Sequence, residues 1–247
     1  MAWPRRLPDL PELFLGLLSI GIAVVLTARI VSGTIHARSH IHDTISVTGS
    51  ARKPISSDLV RWSVSVAGEA AKPTVAARQL RAETRTLRVY LKGEGIPNEA
   101  ITSSVVTSEK NVIQLPHHRR RVTYRVTQRL DISSRRIDVV ERASTGVGGL
   151  IERGVRVSAE PLEYISTELT KAKLDALAAA TEDARRRAEI LVKGLGGKLG
   201  PMRSTSLGVY QITPRDSTDV SDYGINDTSS REKDVNAVVT ATFAVSR

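Results

Sequence analysis

The chain has 247 residues, of which 40% are hydrophobic, 4% aromatic and 25% charged, with a formal net charge of +10. It contains no cysteine, which excludes disulfides, thiol nucleophiles and Cys-ligated zinc or iron–sulfur clusters. The basic residues are scattered and no nucleic-acid-binding motif accompanies them, so they are expected on solvated faces, with no nucleic acid as partner.

Residues 1–12 form a short N-terminal segment, followed by the only long apolar run, Leu13–Val31. A membrane span needs roughly 17–25 mostly apolar residues at about 1.5 Å each. This run meets that length, and its single charge, Arg29, lies near one end, where a long side chain can snorkel. Residues 13–31 are therefore expected to be a transmembrane anchor. Arg5 and Arg6 on one side are partly offset by Asp9 and Glu12, and Arg29 and Arg38 stand on the other, so the positive-inside count is nearly balanced. A cleaved signal peptide is the rival reading. Ala28 is followed by Arg29, Ile30 and Val31, which is not a small-x-small cleavage site. The expectation is an uncleaved, single-pass anchor in the inner (cytoplasmic) membrane, with the C-terminal domain extracytoplasmic.

Residues 32–43 read as a polar juxtamembrane linker; His36, His40 and His42 lack acidic partners and are expected to be solvated rather than metal-bound. Residues 44–247 then read as one folded domain with two sub-lobes. Thr44–Thr48 is a short strand. Leu59–Ala67 alternates, with Val60, Trp62, Val64 and Val66 on one face and Arg61, Ser63 and Ser65 on the other. Trp62 is expected in the core. Pro73 opens a helix whose apolar stripe is Val75, Ala76, Leu80, Leu87 and Leu91, and Gly93, Gly95 and Pro97 close it.

Ile101–Thr107 reads as a strand, Asn111–Arg121 as a loop or frayed hairpin tip, and Arg121–Ile132 as a second alternating strand. Ser133 or Ser134 could cap a helix carrying Ile137, Val140 and Val147, ended or loosened by Gly146, Gly148 and Gly149. Val155–Ile165 is a strand with an irregularity or edge position at Pro161. Thr170 caps a long helix, Lys171–Leu195, with Leu177, Ala180, Ala184, Ala188, Leu191 and Leu195 on its packed side and Arg185–Arg187 solvated. Gly196 and Gly197 stop it. Ser206–Ile212 reads as a strand, 214–232 as a long polar loop, and Val235–Val245 as a last strand with Val235, Ala237, Val239, Ala241, Phe243 and Val245 inward.

Strands adjacent in sequence imply hairpins, and interleaved helices imply a layer over one sheet face. The expected fold is α+β, a mixed, mainly antiparallel sheet with helices packed on one face, preceded by one transmembrane helix.

The chain carries no G-x-S-x-G elbow, P-loop or H-E-x-x-H. Glu182 and Asp183 are adjacent on a helix and so diverge, while Glu152, Glu160 and Glu163 form no evident dyad. No catalytic residue, cofactor or metal site is assigned, and a non-enzymatic role follows. The run His117, His118, Arg119, Arg120 and Arg121 is the candidate contact for an anion or a partner protein, with a solvated hairpin tip as the alternative.

Four stretches carry a family resemblance: Ile45–Val66, with its strand, V-T-G and second strand; Gly95-Ile96-Pro97 before a strand; Tyr164–Gly200; and Gly208–Ile212 before the polar loop and terminal strand. Within the third, Tyr164, Thr167 and Leu169, then Ala180, Thr181, Ala184 and Arg185, then Leu199 and Gly200, match motifs of a membrane-anchored bacterial branch. In these the chain resembles the SIMPL-domain family, whose bacterial members include periplasmic immunogenic, oxidative-stress-related proteins. The departure is residues 110–121, where PHHRRR stands in place of a Tyr- or Gly-rich approach to the strand. The resemblance implies a SIMPL-like fold, an envelope location, homo-oligomers and a link to stress tolerance. It supplies no catalytic residues. The functional expectation is a membrane-tethered, self-associating interaction or scaffold module. The alternative is an envelope protein that binds an anionic small molecule, lipid or polymer through the basic tip.

Overall fold

A computed structural model describes residues 43–116 and 120–246. The apolar run 13–31, the linker histidines and residues 117–119 lie outside the described residues. Among the described residues no helix is long and apolar enough to cross a membrane.

The elements run β1 (Thr44–Ser56), β2 (Leu59–Ala70), α1 (Pro73–Gly93), a 3-10 turn (Asn98–Ala100), β3 (Ile101–Ser103), β4 (Thr107–Gln114), β5 (Arg120–Ser134), α2 (Ile137–Gly146) and α3 (Gly148–Glu152). They continue with β6 (Val157–Ala159), β7 (Glu163–Ile165), α4 (Leu169–Gly194), β8 (Lys198–Leu207), β9 (Gln211–Pro214), β10 (Ile225–Asn226) and β11 (Glu232–Ser246). The result is a mixed α+β fold with one five-stranded and one six-stranded sheet. The chain divides into two compact units: a larger one, Ser50–Ala180 with Gly208–Val238, and a smaller one, the described parts of Met1–Gly49, Thr181–Leu207 and Val239–Arg247.

In the larger unit the six-stranded sheet has the order β3-β5-β2-β6, with β4 also on β5 and β7 also on β2. β2 and β5 pair antiparallel from Val60↔Ser134 to Ala70↔Tyr124. The period-2 pattern of β2 places Val60, Trp62, Val64 and Val66 inward, and all four are buried. They join Leu80, Leu87 and Leu91 of α1, Val126, Leu130 and Ile132 of β5, and Val140 and Ala143 of α2 in one core. Gly68 sets the approach of α1 to β2: a Cβ there would stand 2.1 Å from the Ala76 carbonyl oxygen, so only glycine fits. α1 ends at Gly95, whose φ of 91° suits glycine, and Ile96 turns back so that its N–H reaches the Leu91 carbonyl at 2.9 Å.

Elsewhere in this unit β9 pairs antiparallel with the first part of β11, Lys233↔Pro214 to Asn236↔Gln211, and β10 pairs parallel with β9. In the smaller unit β8 pairs antiparallel with the rest of β11, Val239↔Leu207 to Ser246↔Lys198, with register shifts on either side of Phe243. Its core is Val47, Ala184, Ala188, Ala241 and Phe243.

Several boundaries differ from the expectation. β1 runs on to Ser56 rather than stopping at Thr48. The stretch from Asn111 read as a loop or frayed hairpin tip is strand as far as Gln114, paired with Arg120 in a hairpin. Val155–Ile165 splits into two three-residue strands on either side of 160–162, which contains Pro161. The strand expected over Ser206–Ile212 straddles the break between β8 and β9. Ile225–Asn226, within the expected loop, pairs with Gln211–Ile212.

On α4 the buried ladder is Ala172, Ala176, Ala180, Ala184, Ala188 and Val192, whereas Leu191 is half-exposed and Leu195 is 86% exposed. The packed side is the alanine side because small side chains let a neighbouring backbone approach closely. Arg185, Arg186 and Arg187 pair with Glu189, Glu182 and Asp183 one turn away at 3.0, 3.4 and 2.8 Å, on the solvated side.

Candidate functional site

The six-stranded sheet of the larger unit carries helices over one face, and its other face is polar. Successive residues of a strand point to opposite faces, so residues that share a face with Arg61 on β2 lie away from the core. A fixed network sits there. Ser63 Oγ donates to Asp131 Oδ1 at 2.6 Å and accepts from Arg129 at 2.8 Å; Arg129 also reaches Asp131 at 2.8 Å and Glu160 at 2.9 Å. Trp62, though in the core, donates its indole N–H to the Glu160 carbonyl at 3.1 Å. The hydrogen bond from Ser63, with Arg129 beside it, holds the Asp131 carboxyl below the usual range. Its partner Asp131 in turn raises the Arg129 guanidinium. The network borders a shallow cleft of about 250 Å³ that includes Arg61 and Glu163.

A wider cleft, about 580 Å³, opens before α4. Asp58 organises it: one carboxylate oxygen accepts the Thr167 N–H and the other the Thr167 hydroxyl, each at 2.6 Å. Those bonds, with Arg135 at 3.4 Å, lower the Asp58 pKa. Lys53 and Asp175 face each other at 3.9 Å on the same wall. Four of the lining charges are thus paired, Lys53 with Asp175 and Asp58 with Arg135.

A third feature is buried. Lys233, 3% exposed, donates from Nζ to the Tyr164 and Asp227 carbonyls, each at 2.6 Å. Burial lowers its pKa. The bonds tie β11 to β7 and to the loop before it. The sequence reading missed this residue, because its partners are backbone oxygens, one of them 69 residues away.

Of the five residues singled out in sequence, His117, His118 and Arg119 lie outside the described residues. Arg120 and Arg121 are exposed at the start of β5, opposite Gln114 and Ile113. Beside them the reading missed an edge. β4 pairs with β5 on one side, and Val105, Val106, Val112, Ile113 and Leu115 in and around it are exposed. Val112, Ile113 and Leu115, apolar residues within a segment read as a loop or frayed hairpin tip, were the available signal.

The architecture is that of an α+β domain with helices on one face of a sheet and a polar, ion-paired opposite face. Comparison with protein families gives it a place: residues 45–243 match SIMPL, a protein family of unknown function (DUF541). The chain belongs to the SIMPL family. No curated protein matches it. The chain is similar, at 11% identity over 78% of its length and 88% of the other, to the ligand-free regulatory subunit of aspartate kinase from Thermus thermophilus; the TM-score of 0.18 lends no support to a shared fold or function.

Proposed function

We propose that this chain is a membrane-tethered, extracytoplasmic, non-enzymatic module of the cell envelope that associates with copies of itself. The observation that carries this reading is the exposed apolar border of the larger unit's sheet, where Val112 and Ile113 stand on a strand with one paired side. Exposed apolar residues on an unpaired edge favour pairing with another chain. The Leu13–Val31 run supports the tether. Resemblance to envelope members of the family supports the location and a stress-related role. The test is the full-length chain in its membrane and after detergent extraction. Retention in vesicles through alkaline carbonate and sedimentation as an oligomer are expected. Release by carbonate with the N-terminus intact removes the tether, and a monomer at high concentration removes self-association.

A second reading rests on Arg120 and Arg121, exposed next to each other at the end of the β4–β5 hairpin. As successive strand residues they project to opposite faces of the hairpin, so each offers a phosphate or carboxylate a separate contact. A thermal shift with inorganic polyphosphate that disappears in Arg120→Ser/Arg121→Ser would support it; no shift, or no salt dependence, would remove it.

A further inference from the structure

Edge strands are normally blunted by shortness, charged side chains, proline or a bulge. Of these β4 has only the charges of Glu109 and Lys110. It is eight residues long, contains no proline, and its ladder with β5 runs from Thr107↔Thr127 to Gln114↔Arg120 without a register shift. Among the described residues nothing pairs its other side. Val105 is 82% exposed, Val106 53%, Val112 47%, Ile113 51% and Leu115 40%.

Building on the proposed self-association, we infer that β4 pairs antiparallel with β4 of a second copy, centred on Asn111, so that the six-stranded sheet continues across a two-fold axis. The register follows from parity and charge. A two-fold axis perpendicular to the sheet keeps each face on its own side, so only same-face residues can stand opposite each other. Ser108, Lys110 and Val112 share one face and Thr107, Glu109, Asn111 and Ile113 the other, because they alternate along the strand. Centring on Glu109 sets that carboxylate against its own copy, and centring on Lys110 does the same with two ammonium groups. Like charges directly opposite are destabilising. Centring on Ser108 leaves the end of β4 unpaired, and centring on Val112 sets Ser108 against Pro116, which has no N–H to give. Centring on Asn111 pairs Ser108–Gln114 with the same residues of the other copy and sets Thr107 against Leu115, just past the end of β4. It places Lys110 opposite Val112 and Glu109 opposite Ile113, so charged stems cover the exposed aliphatic groups.

The chain has no cysteine, so a single introduced thiol reports its own neighbour. Full-length Asn111→Cys in lipid vesicles, under mild oxidation or a short dithiol cross-linker, should give a covalent dimer. Arg85→Cys, on the exposed side of α1, should stay monomeric. In the Asn111→Cys background, Val112→Lys opposes Lys110 of the other copy and should cut cross-linking by about tenfold. Val112→Glu should leave cross-linking unchanged or raise it, which mere loss of an apolar group would not do. If Asn111→Cys does not cross-link while the chain still sediments as an oligomer, the β4 surface is wrong and self-association stands. If Val112→Lys and Val112→Glu behave alike, the register is wrong. A chain that sediments as a monomer sinks both.

Discussion

The two units build their cores from different materials. The larger packs Trp62, Leu87, Leu91, Leu130 and Ile132 between helices and sheet. The smaller packs Ala184 and Ala188 with Val47, Ala241 and Phe243. One core derives its burial from side-chain volume, the other from close approach of backbones across small side chains. Either change harms a close-packed core, but the larger unit's big side chains make it most sensitive to lost volume, and the smaller unit's buried alanines make those positions most sensitive to added volume.

Trp62→Ala is the strongest way to test the first half of that contrast. The side chain is 1% exposed and its indole N–H is bonded to Glu160. The substitution is expected to cost about 3–5 kcal/mol, read as a lowered urea midpoint by circular dichroism. A loss below about 1 kcal/mol would mean that the core refills, and that volume is not what holds this unit. Ala188→Leu tests the other half. Ala188 is fully buried, so added methylenes are expected to cost about 1–3 kcal/mol, whereas Leu191→Ala, at a half-exposed position on the same helix, should stay within about 0.5 kcal/mol. Equal effects at the two sites would restore the leucine side of α4 as the packed one.

That last pair marks where the sequence could and could not be read. β2 was legible because one face is buried and the other solvated, which prints a strict alternation on Val60 to Val66. The ends of α1 were legible because Pro73 and Gly95 each have a local conformational reason to be there. On α4 the sequence placed Ala180, Ala184 and Ala188 on the packed side, where they are buried, but hydropathy added Leu191 and Leu195, which tertiary approach leaves exposed. β4 was legible only as the tip of a hairpin, because nearly all of it is exposed on both faces, so no alternation is printed. The polar network fared similarly. Ser63, Asp131 and Glu160 are distant in sequence, and only the β2–β5 register and the return of the chain after β6 bring them together.

A polar contact at the margin of the larger core gives the mildest and most selective prediction. Tyr164 packs against that core and donates its hydroxyl to Glu141 at 2.8 Å. Burial, reinforced by the Glu141 carboxylate, pushes its pKa up to about 12. The unfolded phenol titrates near 10. Between those values the folded chain holds a proton that the unfolded chain has released, so stability falls as pH rises through that window. The contribution is complete below about pH 10 and is lost by about pH 12. Tyr164→Phe should cost about 0.5–1.5 kcal/mol at pH 7 and flatten the decline between pH 10 and 12, measured as urea midpoints across that range. A decline equally steep in Tyr164→Phe would place the alkaline sensitivity in another group. The smaller unit's alanine core, with no titratable side chain among its members, should not respond to this substitution.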